Sequence, residues 1–352
     1  MFRKTIIPQD WSKLAAYLAS KGVAFDKSAG IKQFAAGSVN LNYLIELDGE
    51  KYVLRIPPVA NSSSEKAIKR EYTILSRLSK RFHYAPRGII YCEDVSILGA
   101  PFCVSEFREG TAIGRRLPER LMGVEKVGDR LSNLLVESLV LLHKVDVKQV
   151  ELQELGSGDL FLERQIKIWS GAGSTLFSGD KTLIARVEKW LTKHAPTTTR
   201  TTLVHNDFKL DNMLIDLDNL ELKAVVDWDM CTLGDPIFEL AVMLSYWGSI
   251  DDEPVYFQQC RMPCEADGWW GRRQVVEHYG QLTDTRISEG VLRFYWMLAL
   301  LRALGVYCQI KYVHEKSSQS SPIGEDEYKR LPALIEGIGK KLEYLLHNPL
   351  DI

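Results

Sequence analysis

The chain has 352 residues, 45% hydrophobic and 26% charged, an ordinary globular composition with enough length for two cores. Lys plus Arg total 44 against 46 Asp plus Glu, a formal net charge of -2, so no strong field points to nucleic acid or a membrane surface. Six dispersed cysteines argue against a disulfide framework, the opening MFRKTIIPQDW lacks the apolar core of a secretion signal, and no apolar run approaches the roughly 18 residues of a membrane span; a cytoplasmic protein is expected.

Asp10 suits the N-cap of a first helix through Leu14, Tyr17 and Leu18. NLNYLIELDGEKYVLRI then alternates apolar and polar residues, and Asp48-Gly49 between the runs predicts a two-residue hairpin turn. Pro57-Pro58 stops that ladder. A helix is predicted over about 64–79, with Ile68, Tyr72, Leu75 and Leu78 on one stripe. Glu71 lies on the same stripe, and a carboxylate turned toward a core needs a partner. GIIYCEDVSILGAPFCVSEF reads as further strands with a turn at Gly99-Ala100.

Beyond Gly110 the pattern becomes helical. LSNLLVESLVLLHKV is apolar nearly all round, which predicts a buried helix, and FLERQIKIW starts another. Short strands flank LVHNDFKLDNMLID, residues 203–216, and a third is predicted at LKAVVDW, with Asp218-Asn219 as the turn between. Asp235 suits N-cap and Pro236 suits N1 of a helix reaching Trp247. EGVLRFYWMLALLRALGVYCQIKY is helical, and EKSSQSSP (315–322) is a low-complexity loop. The expected organisation is α+β: a small antiparallel-sheet lobe over 1–104, a connection at 105–110, and a larger, mainly helical lobe over 111–352.

The polar cluster of residues 205–212 has the intervals that phosphoryl transfer requires. Asp207 and Asn212 are five apart between strands, and Asp227 ends the next strand. An amide oxygen and a carboxylate are hard ligands of the kind magnesium accepts, and Asp207 is placed to take a proton from a nucleophile. Lys209, two residues on, can reach a transferring phosphate. These intervals follow the protein-kinase pattern H-R-D-L-x-x-x-N … D-F-G, with Asp227-Trp228-Asp229 in the second place. Upstream, Arg55 on a strand and Glu71 on the next helix suit the cation–carboxylate pair that holds nucleotide phosphates. Gly37-Ser38-Val39-Asn40 can cover the phosphates with backbone N–H groups.

HNDFKLDNMLID with VVDWDMCTLGDP resembles the aminoglycoside phosphotransferase / choline kinase family, a branch of the protein-kinase-like fold. YVLRIPP, REYTILSRL and LHKVD are similar to the subgroup that includes kinase-like domains fused to acyl-CoA dehydrogenases. The resemblance covers about residues 25–305 and implies a two-lobed fold that binds ATP and Mg2+. It implies Asp207 as catalytic base with Lys209 at the phosphate, and Asn212 and Asp227 as metal ligands. Arg55, paired with Glu71, and Ser38 would face the nucleotide phosphates, and backbone groups of Ser105, Glu106 and Phe107 would hold adenine. Three departures stand out: Asn206 where glycine is usual, Arg55 where many relatives have lysine, and a single glycine at 37–40.

Other residues keep more than one reading. His205 reads as scaffolding, Asp211 and Asp218 as loop residues, Asp235 as a cap, and Asp229 as either a second metal contact or a solvent-facing acid. Arg302, inside an apolar helix, meets either a substrate anion or the carboxylate of a structural ion pair. Cys260 and Cys264 lack the second pair a zinc site needs, and no Walker A sequence occurs. The expected activity is ATP- and Mg-dependent phosphorylation of a small-molecule hydroxyl; the competing expectation is a nucleotide-binding regulator without turnover. The acceptor wall is expected at about 245–275, where Asp251, Asp252, Glu253, Glu265 and Asp267 face Arg261, Arg272 and Arg273, too weakly acidic for a polycationic acceptor.

Overall fold

A computed structural model describes residues 6–28, 30–34, 40–58, 60–156, 158, 160–197, 200–248, 260–316 and 325–350. The chain divides into two compact units, one of residues 1–109, 150–152 and 223–229, the other of 110–149, 153–222 and 230–352.

The first unit is built on α1 (Trp11–Ser20) and a five-stranded sheet: β1 (Lys32–Gln33), β2 (Leu41–Leu47), β3 (Glu50–Ile56), β4 (Gly88–Cys92) and β5 (Phe102–Glu106). Strand order is β1-β2-β3-β5-β4, antiparallel throughout. The β2–β3 hairpin turns at Asp48 and Gly49, both at positive φ (51° and 82°), as the Asp-Gly pair predicts. Leu14, Leu18, Tyr43, Ile45, Leu54, Phe102 and Val104 form the core between α1 and the sheet. Trp11 meets Tyr43 edge-on at 5.2 Å, and Tyr17 meets Phe102 at 5.8 Å, so α1 is locked to the sheet by aromatic pairs.

The helix expected over 64–79 is α2, Ser62–Leu78. It starts earlier because Asn61 caps it: the Asn61 side chain accepts from the N–H groups of Ser63 and Ser64, and the Ser64 hydroxyl accepts from Asn61 N–H. One expectation fails locally. Between β4 and β5 the chain is not continuous strand; Val95–Leu98 form a short helix, α3, capped by Asp94 and ended by Gly99 at φ 78°.

The second unit is mainly helical. It contains α4 (Val127–His143), α5 (Phe161–Leu176), α6 (Lys181–His194), α7 (Pro236–Ser245), α8 (Arg272–Thr283), α9 (Glu289–Lys316), α10 (Glu325–Tyr328) and α11 (Leu331–His347). Two strand pairs frame the polar loop of residues 205–212. β7 (Thr202–Val204) pairs antiparallel with β10 (Thr232–Gly234), β6 (Thr111–Ala112) pairs with β8 (Met213–Asp216), and β9 (Glu221–Val225) follows β8 in the chain. Asp235 caps α7, its carboxylate accepting from Ile237 and Phe238 N–H, with Pro236 in the first turn. By length and composition α9 is long and apolar enough to cross a membrane, which the residue-run reading did not anticipate. Its apolar window is 83% buried against the rest of the chain, so its apolarity is accounted for by packing as a core helix.

Candidate active site

In the first unit, Leu54 and Ile56 of β3 face the core, which turns the intervening Arg55 to the opposite side of the sheet. There its guanidinium bonds Glu71 Oε1 on α2 through Nη1 and Asp227 Oδ1 through Nη2, the latter at 3.0 Å. Glu71 is only 5% exposed, so this is the partner its inward position demands. Burial opposes the charge on Arg55, but the carboxylates of Glu71 and Asp227 outweigh it and hold the guanidinium pKa above its ordinary value. Burial likewise pushes the Glu71 carboxyl up, and Arg55 pulls it back. The Arg55 Nε donor is buried with no hydrogen-bond partner among the described residues.

Asp227 sits just past the strand Glu221–Val225, at φ 69°. The segment is fixed in the first unit because Val225 N–H donates to Tyr84 O at 2.8 Å and Trp228 Nε1 donates to Val225 O at 2.8 Å. The Asp227 side chain stays 42% exposed, leaving carboxylate surface beyond its Arg55 contact. Glu106 directs its carboxylate to Arg87 and Arg108, and its N–H donates to Arg87 O at 2.8 Å, so that N–H is already engaged. Phe107 stacks on Phe34 at 6.5 Å. Ser38, with Gly37 and Val39, lies outside the described residues.

In the second unit, the loop between β7 and β8 gathers Asp207, Lys209 and Asn212. Lys209 Nζ lies 2.5 Å from Asp207 Oδ2, and Asn212 Nδ2 donates to the same oxygen at 2.9 Å and to Asp207 O at 2.8 Å. Oδ1 carries no hydrogen bond among the described residues, and the side chain is 19% exposed. Burial works to raise the Asp207 pKa, but Lys209, Arg302 and His205 outweigh it and hold the carboxyl below the ordinary range. Lys209, opposed by burial, is held up by Asp207 and Asp211. His205 is fully buried, its Nδ1 accepting from Asp207 N–H at 3.3 Å.

Behind this loop runs a buried polar chain that the sequence reading did not assemble. Glu239 of α7, 0% exposed, accepts from Asn206 N–H at 2.5 Å and pairs with His143 Nε2 of α4 at 2.8 Å. His143 Nδ1 meets Tyr279 OH of α8 at 2.8 Å. Arg302 of α9 donates to Asn206 O at 2.8 Å and to Tyr246 OH at 3.3 Å. The signal was present: Glu239 and His143 interrupt apolar helices just as Glu71 does.

A cavity of about 370 Å3 lies beside the same loop, its lining including Asp211, Arg115, Arg261, Tyr307, Arg330 and Leu334. Asp211 Oδ1 is buried there with no hydrogen-bond partner among the described residues, 3.8 Å from Lys209 Nζ, and burial pushes the Asp211 carboxyl up. Arg261 bonds Glu327 at 2.6 Å. Of the expected acceptor wall, residues 249–259, with Asp251, Asp252 and Glu253, lie outside the described residues. Trp247 and Trp270 are buried in packing, Trp247 Nε1 donating to Trp270 O at 2.7 Å. Arg272 is buried over the Trp296 ring.

No cluster of three or more His, Cys, Asp or Glu side chains suited to a metal occurs among the described residues. Magnesium does not need one, since it keeps waters and takes one or two carboxylates alongside phosphate oxygens. Asn212, whose amide nitrogen is fixed on Asp207, and the half-open Asp227 are oxygen donors of that type. All six cysteines are buried and outside any disulfide; Cys260 and Cys264 meet as thiols, Sγ to Sγ 3.2 Å.

Comparison with known proteins adds to this geometry. The profile of the phosphotransferase enzyme family matches residues 30–275. Acyl-CoA dehydrogenase family member 10 of Mus musculus is 34% identical over 245 residues, covering 68% of this chain but only 22% of that protein's own length. A chain from Ralstonia eutropha JMP134 described as an aminoglycoside phosphotransferase superposes with a TM-score of 0.77 at 22% identity, over 96% of this chain and 98% of that one. A thermostable mutant of aminoglycoside phosphotransferase APH(4)-Ia, solved as a ternary complex with AMP-PNP and hygromycin B, superposes at 0.57 and 15% identity, over 95% of this chain and 98% of that one. The chain belongs to the phosphotransferase enzyme family and has the α+β, protein-kinase-like fold of the aminoglycoside phosphotransferases.

Proposed function

We propose that this protein is an ATP- and Mg-dependent kinase that phosphorylates a hydroxyl group of a small molecule, with Asp207 as the base. The observation that carries the proposal is the state of Asp207: a mostly buried carboxylate held ionised, with Oδ2 occupied by Lys209 and Asn212 and Oδ1 left to accept. The acceptor hydroxyl gives its proton to Asp207 as its oxygen bonds the γ-phosphorus. The bond from that phosphorus to the bridging oxygen breaks, and its electron pair leaves with ADP. Lys209, bound to Asp207 at rest, is close enough in sequence and charge to follow the transferring phosphoryl group.

The first unit serves as the nucleotide lobe and the second as the catalytic and acceptor lobe. Arg55, fixed by Glu71, holds nucleotide phosphate, and Ser38 and the backbone at Glu106 and Phe107 complete the nucleotide contacts. Because Glu106 N–H is engaged, Phe107 N–H is the donor left to adenine. Asn212 and Asp227 would each offer an oxygen to Mg2+, which would supply charge neutralisation on the phosphates. The cavity beside Asp211 is in the size range of small-molecule sites and takes the acceptor. The mouse relative's name, with this chain matching only a fifth of it, puts hydroxyacyl thioesters among the first acceptors to try. Buried cysteines outside any disulfide support a reducing, cytoplasmic setting. Magnesium-dependent ADP formation across a panel of hydroxyl compounds tests the reading; tight ATP binding with no transfer to any acceptor or to water would favour a regulator instead.

A further inference from the structure

Arg302 is a deeply buried cation of the second unit. It lies at the centre of an apolar stretch of α9, 4% exposed, where burial strongly opposes its charge. Its guanidinium lies over the Trp169 ring, 5.7 Å from the ring centre. What it does bind is specific: the main-chain carbonyl of Asn206 at 2.8 Å, the residue before Asp207, and the Tyr246 hydroxyl at 3.3 Å. The Tyr246 ring in turn faces Lys209 Nζ at 5.3 Å, so the guanidinium touches the loop at one residue and backs the cation of the loop at another.

Asn206 is held from both sides. Its N–H donates to Glu239 at 2.5 Å, its carbonyl accepts from Arg302, and its side-chain Nδ2 donates to Met230 O at 3.1 Å. It sits at φ 66°, a left-handed conformation that a non-glycine residue keeps only when its surroundings impose it. Glycine would reach that conformation unaided but would also leave it freely. A cation on the C=O and an anion on the N–H of one residue oppose any peptide flip there, and the flip would swing the following residue.

We infer that Arg302 is a positioning residue: with Glu239 behind it, it locks the left-handed Asn206 turn and thereby aims the Asp207 carboxylate at the acceptor hydroxyl. The inference rests on the reading of Asp207 as the base. One property separates it from a merely structural cation: the lock acts on geometry at the reacting group, where a displacement of about 1 Å costs roughly 10²-fold in rate.

The test uses MgATP with water as acceptor, phosphate release as readout, and the full chain. Arg302→Gln is expected to keep the KM for MgATP and lose roughly 10²-fold in kcat. Arg302→Lys keeps the charge but replaces a planar fork by a point donor; it should recover only part of kcat. A folded Arg302→Gln variant with wild-type kcat overturns the inference. If that variant does not fold, Arg302→Lys decides, and a wild-type kcat there overturns it. Asp207→Asn, run in parallel, separates the two levels: if it retains turnover, the base assignment itself has failed.

Discussion

Lys209 Nζ lies 2.5 Å from Asp207 Oδ2, inside a pocket that leaves the two side chains 16% and 19% exposed. The contact makes the proposed base a depressed-pKa carboxylate, so it stays in its proton-accepting form as pH falls until its own pKa is passed. Lys209→Gln removes the largest influence lowering that pKa and leaves burial to raise it. The acid limb of kcat/KM is therefore expected to move to higher pH. Loss of one cation beside the transferring phosphoryl should also lower kcat by about 10²-fold. A pH–rate profile of the variant, read as kcat/KM against pH, checks both.

Arg55→Ala should destabilise the first unit by about 3–5 kcal/mol, because it strands Glu71 as a buried, unpaired carboxylate. Nucleotide binding should weaken in parallel. Arg55→Ala/Glu71→Gln should recover stability without recovering nucleotide binding. Thermal unfolding with and without ATP separates the two effects. Arg55→Lys should fall between, since an ammonium cannot reproduce the contacts to Glu71 and Asp227 together.

Asp235→Ala should cost about 2 kcal/mol by removing the α7 cap and the acceptor of Tyr295 OH at 2.8 Å. Asp235→Asn, which keeps the capping oxygen, should cost less. Urea unfolding followed by circular dichroism measures the difference.

Asp227→Asn should raise the magnesium concentration at half-maximal activity while leaving metal-free nucleotide binding in place. Asn212→Ala should do the same and also release Asp207, because Nδ2 bonds that residue twice. Magnesium titration of ADP formation reads the first effect, and the acid limb of the pH profile reads the second.

The parts of the molecule with strong local signals were legible in the sequence. The Asp48-Gly49 hairpin and the Asp235-Pro236 helix start follow from turn and cap chemistry that acts within a few residues. Glu71 was legible because a carboxylate on an apolar stripe demands a cation, and Arg55 provides it. The four-residue helix at Val95–Leu98 was not, since one turn shows no periodicity and only the Asp94 cap marks it. Arg302 stood out as a charge in an apolar helix, but its role was not legible. Its partner is a main-chain carbonyl, and no side-chain pattern records where a backbone group will be exposed. The Glu239–His143–Tyr279 chain joins three helices that are distant in sequence, so each residue showed only as an oddity in an apolar run.

The most direct test of the central claim is Asp207→Asn, an isosteric change that keeps the Oδ-type acceptor but removes the base. With MgATP and a panel of hydroxyl acceptors that includes hydroxyacyl thioesters, wild type is expected to form ADP and a phosphorylated product. The variant should bind ATP as wild type does and transfer at least roughly 10²-fold more slowly, the lower range of a lost general base. Transfer by Asp207→Asn at the wild-type rate would contradict the account.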